Sequence, residues 1–105
     1  MDADFGKMLE KLQGVQEQLA KVQEELGAMT VTAESGGGMV KATANGRQQL
    51  VSIKIEKEVI DPAEQEMLED LIVASVNRAL DRSRELSESK MGEATRGFLP
   101  NMSGF

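Results

Sequence analysis

Met39-Val40-Lys41-Ala42-Thr43-Ala44-Asn45-Gly46 is the stretch whose reading decides the fold. Val40, Ala42 and Ala44 alternate with Met39, Lys41 and Thr43, which is the two-residue period of a strand with one face buried. The run ends in Asn-Gly, the strongest short hairpin signal, because both residues tolerate positive φ in a two-residue turn. Past that turn a strand is expected from Gln48 to Ile55, with Val51, Ile53 and Ile55 buried and Ser52 and Lys54 exposed. Before it, Ser35-Gly36-Gly37-Gly38 turns the chain, and Thr30-Val31-Thr32-Ala33-Glu34 is alternating and rich in β-branched residues. An antiparallel three-stranded meander is the expected centre of the molecule.

Helices flank this meander on both sides. Phe5, Met8, Leu12, Val15, Leu19, Val22 and Leu26 recur at spacings of three and four, a heptad seam suited to packing along another helix. Asp4 is placed to cap that helix and Gly27 to end it in a left-handed conformation. Asp61-Pro62-Ala63-Glu64 marks a second start, with Asp61 as cap, Pro62 at the first helical position and Glu64 reaching back. From there a stripe through Met67, Leu68, Leu71, Ile72, Ser75/Val76, Ala79/Leu80, Ser83, Leu86 and Met91 keeps a helical period and turns polar beyond Leu80.

The expected class is therefore α+β, an α-β-β-β-α protomer with two long helices. A single domain over residues 1–96 and a flexible tail over 97–105 are expected. A second helix of about 50 Å overhangs strands of about 20 to 27 Å, so the outer ends of both helices project together as an arm. A small sheet with open edges and a heptad seam invites a second subunit, which implies a homodimer. Met8, Leu12, Val15, Leu19 and Val22 are the residues expected to pack helices or subunits together.

Composition narrows function. The 105 residues hold neither cysteine nor histidine, which removes disulfides, thiolate chemistry and the commonest general base and metal ligand. No Ser-His-Asp or Cys-His set can be assembled, and the carboxylate pairs Glu69-Asp70 and Glu64-Glu66 diverge on a helix, so neither an enzyme nor a metal site is expected. The Ser35–Gly38 run with Lys41 lacks the spacing of a phosphate loop and leads into a strand, so a turn is the better account. No apolar run approaches the roughly 18 residues of a membrane span, and a cytoplasmic location is expected. Three phenylalanines and a net charge of −6 disfavour base stacking and long-range attraction to nucleic acid.

The bases are nevertheless unevenly placed. Asp61, Glu64, Glu66, Glu69 and Asp70 crowd the sheet end of the second helix, while Arg78, Arg82, Arg84, Lys90 and Arg96 lie further along it. Asp81, Glu85, Glu88 and Glu93 interleave with those bases, so a self-paired, solvated helix face is the ordinary reading of each one. Lys7 and Lys11 stand out, because like charges four residues apart slightly oppose the helix they sit on.

Thr32-Ala33-Glu34-Ser35-Gly36-Gly37-Gly38-Met39-Val40-Lys41, then Asn45-Gly46 and Glu66-Met67-Leu68-Glu69-Asp70-Leu71-Ile72 resemble the YbaB/EbfC family of nucleoid-associated DNA-binding proteins. Asn77, Lys90-Met91 and Phe5-Gly6-Lys7-Met8 extend the resemblance over nearly the whole chain. The resemblance implies a tweezers-like homodimer that binds duplex DNA and affects nucleoid organisation or gene expression, with no catalytic residues, no cofactor and no small-molecule substrate. On the expected arm, Lys7, Lys11, Arg78, Arg82 and Arg84 are the bases placed to meet phosphates with little sequence preference. The alternative is a protein-binding adaptor or prefoldin-like clamp, since acidic, methionine-containing arms also suit protein clients.

Overall fold

The computed structural model of the chain describes residues 2–96, and the expected tail over 97–105 lies outside them. Five main elements follow in order: α1 (Asp2–Ala28), β1 (Thr30–Ser35), β2 (Val40–Asn45), β3 (Leu50–Ile55) and α2 (Gln65–Arg96). Two short 3-10 turns, Lys57–Val59 and Pro62–Glu64, join β3 to α2. The sheet is antiparallel in the order β1-β2-β3, as the alternating runs predict. The molecule is a rod with principal extents of 73 × 27 × 16 Å.

Small side chains explain how α2 lies on the sheet. Ala33, Ala42, Ala44 and Ala79 form a buried cluster, with Val31, Val76 and Leu80 packed around it. Ser75 and Ser83 are buried on the same helix, so hydroxyls and methyl groups fill a thin interface between α2 and β1–β2. Asp61 caps as expected: its Oδ1 accepts from the Ala63 N–H at 3.0 Å, and α2 follows after one 3-10 turn. Three successive glycines, Gly36, Gly37 and Gly38, have positive φ and make the β1–β2 turn. At Gly36 a Cβ would stand 2.9 Å from Leu71 Cδ2, so that glycine is also required by the approach of α2.

Several expectations are corrected. α1 begins at Asp2, ahead of the proposed Asp4 cap, and runs through Gly27, which is not in the left-handed region. The reason is that the terminal carbonyl of Leu26 finds other partners, accepting from Met29 N–H at 3.2 Å and from Gly46 N–H at 2.9 Å. A left-handed cap is unnecessary once the β2–β3 loop supplies a donor.

Asn45-Gly46 likewise does not form a two-residue turn. The loop spans 46–49, and its left-handed residue is Gln48, at φ 61°, while Gly46 lies outside that region. Asn45 organises it by accepting from Arg47 and Gln49 N–H through Oδ1 and by donating through Nδ2 to Gln49 Oε1 at 2.8 Å. Gly46 is needed because a Cβ there would fall 2.8 Å from the Leu26 carbonyl oxygen.

The third strand is also shorter than expected and is not buried by its own chain. Ile53 and Ile55 pair with Ala42 and Val40 and share their face, yet α2 is centred over β1 and β2. Val51 is 57% exposed and Leu50 44%, and a register shift at Thr43/Ala44 offsets them. The apolar alternation of β3 is real, but nothing among the described residues covers it.

Candidate nucleic-acid interface

The arm is built from α1 and the end of α2, which run antiparallel. Gln23 Nε2 lies 3.8 Å from Met91 Sδ, so the C-terminal half of α1 is flanked by the last turns of α2. The heptad seam follows that overlap. Val22 and Leu26 are buried and Val15 and Leu19 partly so, whereas Phe5, Met8 and Leu12 are 64%, 61% and 54% exposed. The outer turns of α1 extend past the described part of α2 as a single helix with a bare apolar stripe. Leu9, also exposed, widens it.

Lys7 and Lys11 sit on this outer part. With Asp4 and Met8 they line an open depression of about 290 Å³, and the two ammonium groups share one helix face. The five bases read from the sequence are therefore not brought together. Arg78 Nη1 donates to the Glu34 carbonyl oxygen at 2.8 Å, and Arg82 Nη1 donates to that of Thr32. Both arginines thus lie beside the sheet and cover the outer edge of β1, away from the arm tip where sequence reasoning put them.

An edge strand presents unpaired carbonyls, and a guanidinium is a fixed array of donors suited to meeting them. Arg84 pairs with Asp81 at 3.4 Å, and Lys90 with Glu93 at 3.8 Å, both among the acids interleaved with the bases of α2. Lys41 and Lys54 lie outside the arm, and their register makes them direct neighbours on β2 and β3. The signal was present in the alternation, which puts both on the exposed face, but their adjacency depends on the length of the β2–β3 loop.

Among the described residues no cluster of three or more Asp or Glu side chains is arranged to hold a metal ion. No helix there is long and apolar enough to cross a membrane. What remains is a rod carrying exposed lysines at its two ends, hydroxyls on an open sheet face and uncovered apolar surface on α1 and β3.

The model of the YbaB/EbfC DNA-binding family matches residues 1–98. The chain belongs to that family. A nucleoid-associated protein of Moorella thermoacetica is 51% identical over 92 residues, covering 88% of each chain. Another from Caldanaerobacter subterraneus is 50% identical over 95 residues, covering 90% of this chain and 86% of the relative. An uncharacterized protein of Helicobacter pylori has a crystal structure similar to this one, with a TM-score of 0.73. It covers 81% of this chain and 89% of its own at 22% identity, which establishes the shared fold.

Proposed function

We propose that this member of the YbaB/EbfC family is a nucleoid-associated protein that binds the backbone of duplex DNA with little sequence preference. It works as a homodimer in the nucleoid and affects DNA organisation or gene expression. The observation that carries the reading is the family match over nearly the whole chain, on a rod whose outer α1 turns expose Lys7 and Lys11. A lysine pair whose depression is lined by no aromatic side chain is chemistry for phosphates, and backbone contacts position a duplex without reading it. Arg78, Arg82 and Arg84 lie apart from that lysine pair and have a secondary role, because each already donates to a β1 carbonyl or to Asp81. The homodimer is supported by the bare stripe of Phe5, Met8 and Leu12 and by the uncovered β3.

The test is retardation of a generic duplex across a salt series. Log affinity should fall with log salt at about −0.9 per phosphate contacted, and Lys7→Gln with Lys11→Gln should flatten that slope. Failure to retard any duplex at low salt would move the function to the protein-binding clamp. The exposed Phe5, Met8, Leu9 and Leu12 are the feature that favours that second reading. Suppression of aggregation of an unfolded client, without DNA retention, is its signature.

A further inference from the structure

We infer that the open face of the sheet, around Lys41 and Lys54, is a second contact for the sugar-phosphate backbone of duplex DNA. The inference rests on the duplex-DNA reading above and adds a site at the opposite end of the rod from Lys7 and Lys11. α2 covers the face carrying Ala33, Val40 and Ala42, so the alternate residues of each strand point to the other side. No described element lies across that side. Thr32, Thr43 and Ser52 are Cα partners in one row over the three strands, and Glu34, Lys41 and Lys54 form the next.

The second row has two lysines directly opposite one another. Like charges in that relation destabilise an antiparallel pair, a cost that Glu34, opposite Lys41 on β1, offsets only on one side. Among the described residues the ion pairs are Arg84–Asp81 and Lys90–Glu93, so neither Lys41 nor Lys54 is neutralised by a paired carboxylate. An anion between the two ammonium groups removes the repulsion.

Lys41 and Lys54, with Lys57, line an open depression of about 510 Å³, at whose rim Glu56 and Glu58 also stand. The hydroxyl row lies alongside. Thr32 and Thr43 Oγ1 are 3.0 Å apart and can share one proton between them, which leaves the other to donate outward. Lysine ammonium groups beside Ser and Thr hydroxyls are the side chains that meet phosphate oxygens in duplex complexes. Glu34, Glu56 and Glu58 hold the local charge near neutrality, so this contact is weak alone and acts together with the α1 tip.

Position strengthens the case. The patch adjoins the Gly36–Gly38 turn, whereas α1 joins the sheet at its other end, where Gly46 meets Leu26. A duplex held at α1 and at the sheet face is gripped over more of the 73 Å length than the arm supplies.

The experiment compares the unaltered full chain, Lys41→Gln/Lys54→Gln, Lys7→Gln/Lys11→Gln and the fourfold variant, by retardation of a generic duplex over a salt series. Changing Lys41 and Lys54 should reduce the salt slope by about one to two units, as expected for one or two phosphates. The fourfold variant should lose both contributions, and Lys41→Arg/Lys54→Arg should keep the slope. A thermal midpoint close to that of the unaltered chain separates lost contact from lost fold.

If Lys41→Gln/Lys54→Gln leaves the slope unchanged while Lys7→Gln/Lys11→Gln flattens it, the sheet-face site is wrong and the DNA reading stands. A change of oligomeric state in Lys41→Gln/Lys54→Gln would make this face a subunit contact and overturn the site. Absence of retardation by the unaltered protein overturns both readings.

Discussion

Ser83 shows how much of this fold is held by one hydroxyl. It is buried on α2, donates to the Asn45 carbonyl and accepts from the Gln48 N–H at 2.9 Å, so it pins the β2–β3 loop to the helix. Its neighbour in that loop, Gln48, has the left-handed φ that costs a residue with a Cβ about 1 kcal/mol or more, so the loop needs such an anchor. Ser83→Ala removes both bonds and leaves Gln48 N–H and the Asn45 carbonyl only their mutual contact at 3.1 Å, and it should lower unfolding free energy by about 1 kcal/mol in urea titration. Gly46→Val should also destabilise, through collision with Leu26 and loss of the bonds from Gly46 N–H to the α1 terminus. A thermal midpoint within a degree of the unaltered chain would show that α1 and the loop can separate freely. The residue was identified in the sequence, but as a turn former; its true constraint is a neighbour 20 positions away.

At the scale of elements, α1 is one helix with two environments. Its heptad seam runs unbroken from Phe5 to Leu26, yet α2 buries only the inner part. Leu26→Ala empties a fully buried site and should cost about 2–5 kcal/mol of stability. Leu12→Asp is 54% exposed in the protomer, so the folded circular-dichroism signal should survive while self-association weakens. Equal loss of helical signal in both variants would mean that the outer half of α1 folds only when paired. The β1 edge is treated differently from β3: Arg78 and Arg82 cover its carbonyls, whereas Leu50, Val51 and Ile53 leave β3 exposed. That asymmetry confines sheet-edge association to β3.

For the whole molecule, uncovered apolar surface at both the arm and β3 predicts self-association. Sedimentation at micromolar concentration should give twice 11.4 kDa, and a persistent monomer would remove the dimer from the functional model. The same rod carries a net charge of −6, so the proposed DNA contact through local lysines should be lost at modest salt.

Period, caps and turn chemistry are local properties, so the sequence by itself determined the α-β-β-β-α order, the meander and the Asp61 cap that leads into α2. The family resemblance was legible for the same reason, since its motifs lie in contiguous turns and strand ends. Three features were decided only by tertiary structure. A four-residue loop replaced the Asn-Gly turn because the end of α1 and the residue that follows it offered the Leu26 and Met29 carbonyls to Gly46 N–H. Arg78 and Arg82 became covers for β1 because α2 passes beside that edge, which no charge pattern along the helix encodes. Lys41 and Lys54 became neighbours because strand register joins residues 13 apart, and register is a property of the paired strands together.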